Sequence, residues 1–137
     1  MPEAAALLGV AAATTVEELA PQATALLALG PGAVLLKGGH LGGEESVDVL
    51  VTAGGVVETR RPRVSTSSTH GTGCTLSSAI AALAARTRLV VPDDPPDWAP
   101  LVAGARDYLQ AALLAGGTLG VGSGHGPVHH FAGWWEA

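Results

Sequence analysis

Apolar residues fall in short runs separated by glycine and proline, and the spacing within each run sets its element. Pro2 to Leu8 reads as a short helix, with proline in its first turn and Gly9 at its end. Thr14 and Thr15 are alternative N-caps, each with a glutamate three residues on (Glu17, Glu18), the pattern of a capping box. Leu19, Ala23, Leu26 and Leu27 then recur at helical spacing as far as Gly30, with Pro21 able to bend the start. Ala33 to Leu36 reads as a buried strand. Ser46 to Thr52 alternates, Ala53-Gly54-Gly55 turns, and Val56 to Arg60 returns, which predicts a β-hairpin. Arg61 to Val64 extends the second strand, and Pro62 places it at an edge or a bend.

A polar, glycine-rich stretch, Ser65 to Cys74, leads into a small-residue helix over Thr75–Arg86, with Leu76, Ala79, Ile80 and Leu83 on one face. A proline- and aspartate-rich loop from Val91 to Asp97 precedes a last long helix, about Trp98 to Ala115. Gly120 to Pro127 is a glycine loop, and His129 to Trp135 follows it. This mixture of helices and strands predicts an α/β fold.

Composition narrows the class. The 137 residues suit one domain with one core, and 47% hydrophobic against 14% charged residues indicates packing rather than disorder. The net charge is −5, and Arg60, Arg61 and Arg63 form the only dense cationic cluster, so nucleic acid is not expected as a partner. A small polyanion is still compatible, because backbone amides and one lysine bind phosphate without net positive charge. The single cysteine rules out an internal disulfide and fits a reducing, cytoplasmic setting. Glu3 sits where a signal peptide would be basic, and the apolar runs carry Gly and Pro breaks, so neither a signal peptide nor a membrane span is expected.

The order strand, glycine-rich turn, small-residue helix carries the candidate chemistry. Gly71 and Gly73 permit positive φ and close approach of an anion to the backbone. Amides at a helix N-terminus are unpaired and point outward, and the helix dipole adds partial positive charge there. Charge on a transferring phosphoryl group can be stabilised in such a place. Cys74 falls in the first turn of that helix, placed to accept a proton from a hydroxyl. Each feature also has a plain structural reading: a tight turn for G-x-G, and a packed small hydrophobe for the cysteine.

Lys37-Gly38-Gly39-His40-Leu41, Val47-Asp48-Val49-Leu50 and Thr69-His70-Gly71-Thr72-Gly73-Cys74-Thr75-Leu76-Ser77-Ser78-Ala79-Ile80-Ala81 resemble the second half of the bacterial hydroxymethylpyrimidine/phosphomethylpyrimidine kinases of thiamine biosynthesis. The tail Gly124-His125-Gly126-Pro127-Val128-His129-His130-Phe131 is similar to that family's C-terminal end. The resemblance covers nearly the whole chain. THGTGCT is its most specific part, since ribokinase-like relatives usually carry Asp where Cys74 stands.

The resemblance implies the C-terminal portion of a ribokinase-like α/β sandwich with a β-hairpin, 1–137 forming one partial nucleotide-binding domain. It implies ATP-dependent phosphorylation of 4-amino-5-hydroxymethyl-2-methylpyrimidine and then of its monophosphate. Gly71, Thr72, Gly73 and Cys74 would line the anion hole, with Cys74 as base, and Lys37 and Gly38 would lie near the ATP phosphates. An Asn-x-x-Glu motif in the family helps to hold Mg²⁺ through water; Met1-Pro2-Glu3 matches its last three positions, which makes Glu3 the candidate carboxylate. The family's N-terminal half supplies most of the sheet and the pyrimidine pocket, so self-association or a complementing N-terminal half is expected. Two alternatives stand beside this reading: a non-catalytic remnant that binds a nucleotide or a partner, and a pyridoxal-type kinase.

Other residues have simpler readings. Lys37 alone reads as a surface lysine, and Glu3 as a first-turn residue favoured by the helix dipole. His125, His129 and His130 read as a structural tail rather than a metal site. His70 reads as orienting the loop through a hydrogen bond. Trp134 and Trp135 cover a core edge or an interface, and the three arginines read as solvated, with a nucleotide contact as the alternative.

Overall fold

The structure, a computed structural model, describes residues 1–90 and 95–135. The chain divides into two compact units, Met1–Arg63 and Val64–Ala137. Val91 to Asp94 of the expected Pro/Asp loop lie outside the described residues.

In the first unit, α1 (Pro2–Leu8) and α2 (Leu19–Leu27) accompany a three-stranded antiparallel sheet of β1 (Ala33–Lys37), β2 (Glu45–Thr52) and β3 (Gly55–Pro62), in the order β1-β2-β3. The expected hairpin is β2–β3, in register from Thr52 opposite Gly55 to Glu45 opposite Pro62. Pro62 closes β3, an outer strand, where its missing N–H breaks no ladder bond. Against expectation, β1 is not buried throughout: only Leu36 is, while Ala33, Val34 and Leu35 are half-buried, because β1 is the other outer strand.

Helix α2 starts at Leu19 with Glu18 as N-cap, not at Thr14 or Thr15. Pro21 explains the shift. A helix begun at Thr14 or Thr15 would put Pro21 in its interior, where the ring clashes with the preceding turn; from Leu19, Pro21 falls in the first turn, where its N–H has no partner to lose. The glutamate still reaches back, and the Glu18 carboxylate accepts the Thr14 amide at 2.7 Å and the Thr15 amide at 3.3 Å. Those two amides, with the Thr14 hydroxyl, hold its pKa below the usual carboxylate value. Leu19, Ala23 and Leu26 then face Leu36, Val49 and Val51 of the sheet in one apolar cluster. Leu19 and Ala23 are fully buried, and a buried leucine of this kind contributes about 2 kcal/mol.

In the second unit, α3 (Thr72–Val90) packs on α4 (Trp98–Gly116). Asp97 caps α4 by accepting the Ala99 amide at 3.2 Å. Val102, Ala105, Leu109 and Ala112 form the buried stripe of α4, at the i, i+3, i+7 spacing of one helix face. Val128 of the tail is buried as well, and the His129 amide donates to the Ala112 carbonyl at 2.9 Å.

Candidate active site

Helix α3 begins three residues earlier than the sequence suggests, at Thr72, and runs on to Val90 instead of Arg86. Thr72, Gly73 and Cys74 are therefore its first three residues rather than a loop before it. Gly73 is helical, so only Gly71 uses the freedom to adopt positive φ, at 82°. A Cβ on Gly71 would meet nothing within 4 Å, so glycine is required there by backbone conformation and not by space. The Thr75 amide closes the first turn onto the Gly71 carbonyl at 2.8 Å, and the Thr72 amide turns back to Thr69. Among the described residues, no hydrogen bond occupies the amides of Gly73 and Cys74. Two free donors at the positive end of a 19-residue helix are the elements of an oxyanion or phosphate site. The Cys74 thiol is free and exposed beside them.

His70 does orient this loop, but through its backbone: its amide donates to the Gly126 carbonyl at 3.1 Å, and the imidazole is exposed. His129 is buried, accepts the Phe131 amide at Nδ1 at 3.2 Å, and meets the Trp135 ring edge-on at 5.2 Å.

Lys37, Gly38 and Glu3 belong to the first unit. Lys37 is exposed at the end of β1. Gly38 is buried, and its amide is engaged by the Val47 carbonyl at 2.9 Å and by Oδ1 of the buried Asp48 at 3.0 Å. Gly38 thus shapes the strand end that carries Lys37. Glu3 is exposed in the first turn of α1. Its own backbone amide, then the Met1 amino group, hold its carboxyl below the usual range, and Lys37 adds a smaller favourable charge. Glu3 and Lys37 thus act on each other within one unit, while Gly71–Cys74 lie together in the other.

Arg63 is not a solvated arginine. Its guanidinium donates to the carbonyls of Gly43 at 2.9 Å, Gly39 at 2.7 Å, Glu45 at 3.0 Å and Leu41, tying down the segment that follows Lys37 and Gly38. No local signal marks it, since its partners lie 18 to 24 residues away. Arg60, by contrast, stays at the surface, paired with Glu45 at 3.0 Å and with Glu58.

Residues 1–129 match the family model described as phosphomethylpyrimidine kinase. The chain belongs to this family. The hydroxymethylpyrimidine/phosphomethylpyrimidine kinase of Escherichia coli (strain K12) is 50% identical over 98% of the chain, and that of Rhizobium meliloti (strain 1021) is 42% identical over 98%. The chain spans about half the length of these curated relatives, 48% and 47%. Among solved structures, the ADP complex of Bacillus subtilis pyridoxal kinase superposes with a TM-score of 0.81 at 27% identity, covering 98% of this chain and 47% of that one. The fold of this phosphomethylpyrimidine kinase family member is the ribokinase-like α/β fold that the sequence resemblance implied. Among the described residues, no helix is long and apolar enough to cross a membrane, and no three His, Cys, Asp or Glu side chains gather as a metal site.

Proposed function

We propose that this region is the nucleotide- and phosphate-binding part of a cytoplasmic kinase that uses ATP to phosphorylate 4-amino-5-hydroxymethyl-2-methylpyrimidine and then its monophosphate. The observation that carries the reading is the pair of free Gly73 and Cys74 amides at the start of α3, within a chain half-identical to kinases of that name. The hydroxymethyl oxygen attacks the γ-phosphorus in line and ADP leaves. Gly71 sets the turn, the Gly73 and Cys74 amides receive the negative charge that builds on the phosphoryl oxygens, and the Cys74 sulfur takes the hydroxyl proton. Thr72, one residue into the helix, completes the loop.

Lys37 supplies a positive charge to the ATP phosphates, with Gly38 fixing the strand end. Mg²⁺ would supply positive charge to offset the negative charge of the transferring phosphoryl group. One ionised, exposed carboxylate fits such an ion, which keeps several waters and is completed by substrate phosphates, so Glu3 would hold it through water. Exposed Leu89, Leu114 and Trp134 support association with a second copy or with a complementing N-terminal half that holds the pyrimidine.

The fold neighbour that acts on pyridoxal gives a second reading, a pyridoxal-type kinase, but at 27% identity against 50% it is the weaker one. Calorimetry with Mg-ATP and a coupled ADP-release assay test both. In an assembly that contains the pyrimidine-holding part, the expected result is Mg-ATP binding, with ADP release stimulated by the hydroxymethylpyrimidine and not by pyridoxal. Stimulation by pyridoxal alone favours the second reading. Binding with no pyrimidine-dependent release makes the chain a nucleotide-binding module, and absence of binding contradicts both kinase readings.

A further inference from the structure

The segment leading to the Gly71–Cys74 loop is closely packed. Ser68 lies three residues before Gly71 and is 5% exposed. Gly116, the last residue of α4, packs against it: a Cβ there would lie 2.7 Å from the Ser68 Cβ and 3.3 Å from the Pro127 carbonyl oxygen. Gly126 of the tail packs against it too, and a Cβ there would lie 3.0 Å from the Ser68 Oγ. The tail is fixed in turn. The His70 amide donates to the Gly126 carbonyl, His70 forms a parallel bridge with Pro127, and the His129 amide is anchored on Ala112 of α4.

We propose that Ser68, packed against Gly116 and Gly126, is a positioning residue that sets where the Gly73 and Cys74 amides meet a phosphate. The inference deepens the function proposed above and rests on it. An anion hole acts only where its donors are held in place, and a displacement of about 1 Å can cost roughly 100-fold. A methyl group on Gly116 meets the Ser68 Cβ, which has no rotamer to escape into, so the backbone leading to Gly71 must shift by about 1 Å to restore carbon–carbon contact distance. A methyl group on Gly126 crowds only the hydroxyl, reaching the Ser68 carbons at ordinary contact distance, and is the milder intrusion. The two close approaches explain why glycine stands both at the end of α4 and in the tail.

The test pairs each intrusion with its relief. Gly126→Ala is combined with Ser68→Ala, which removes the oxygen it meets, and Gly116→Ala with Ser68→Gly, which removes the Cβ it meets. Mg-ATP affinity is read by calorimetry, and the Gly73 and Cys74 amide resonances are followed in the same titration, well below each variant's melting temperature. Gly116→Ala is expected to weaken the phosphate response of those amides by about tenfold or more, and the double variant to return to within about threefold of Ser68→Gly. If Gly116→Ala does not fold, the Gly126→Ala pair carries the same comparison with a smaller change. Amide responses equal to wild type in variants whose melting temperature alone has dropped would overturn the positioning role. Amides that ignore Mg-ATP in the wild-type chain would instead overturn the loop's phosphate role, and this inference with it.

Discussion

Replacing Cys74 with alanine is expected to lower pyrimidine-dependent turnover by roughly 10²–10⁴-fold in any assembly of this chain that is active, the range that a lost general base costs. Mg-ATP affinity should change by less than about threefold, because the Gly73 and Cys74 amides are backbone donors that survive the change. The exposed thiol has no structural duty to lose: it is free, and only its carbonyl is engaged, by the Ser77 hydroxyl at 3.0 Å. Cys74→Asp, which keeps a proton acceptor at the same place, is expected to recover part of the loss. Steady-state kinetics paired with calorimetry separate the two quantities. Turnover within a few-fold of wild type would remove Cys74 from the reaction.

The second large effect is structural. Gly38→Ala places a Cβ onto the backbone oxygen of Val47 and within 3.0 Å of the Leu19 Cδ1 and 3.3 Å of the Leu41 Cδ1. The oxygen belongs to β2, which pairs with both other strands, so it cannot step aside without breaking the register. The bonds from the Gly38 amide to Val47 and Asp48 would be lost or lengthened in the same movement. Destabilisation of about 3 kcal/mol or more is expected, at the upper end for overpacking, measured by urea denaturation. A change under about 1 kcal/mol would show that the strand end yields easily and does not fix Lys37.

These two residues also mark what the sequence can and cannot reveal. Helix α1 is legible to the residue because proline and glycine punctuate it locally. The β2–β3 hairpin is legible because alternation and a Gly-rich turn coincide. The start of α2 is not, because a capping-box pattern competes with Pro21 and the steric demand of the proline ring wins. The start of α3 is misread for a related reason: Thr-Gly-Cys has poor helix propensity, yet the turn at Gly71 and the Thr75 bond to its carbonyl draw these residues into the helix. That shift matters chemically, since it places the Gly73 and Cys74 amides in the unpaired first turn.

The position of the Gly71–Cys74 loop is thus visible in seven consecutive residues, THGTGCT. The tertiary contacts that fix the candidate residues within each unit are not. Arg63 reads locally as one of three surface arginines, and its four carbonyl partners appear only when the chain folds back across the hairpin. Nothing local marks the close packing of Gly38, Gly116 and Gly126, which arises when Val47 and Ser68 are brought against them. Contacts of this kind depend on tertiary approach, and no pattern of hydrophobic and polar positions encodes them.

The most direct measurement is amide NMR of the wild-type chain, following Gly73 and Cys74 as Mg-ATP is added, with adenosine as the control. Downfield shifts of both amide protons with Mg-ATP and not with adenosine are expected, as two unpaired donors take up phosphoryl oxygens. Unchanged Gly73 and Cys74 resonances at saturating Mg-ATP would contradict the phosphate role of the loop.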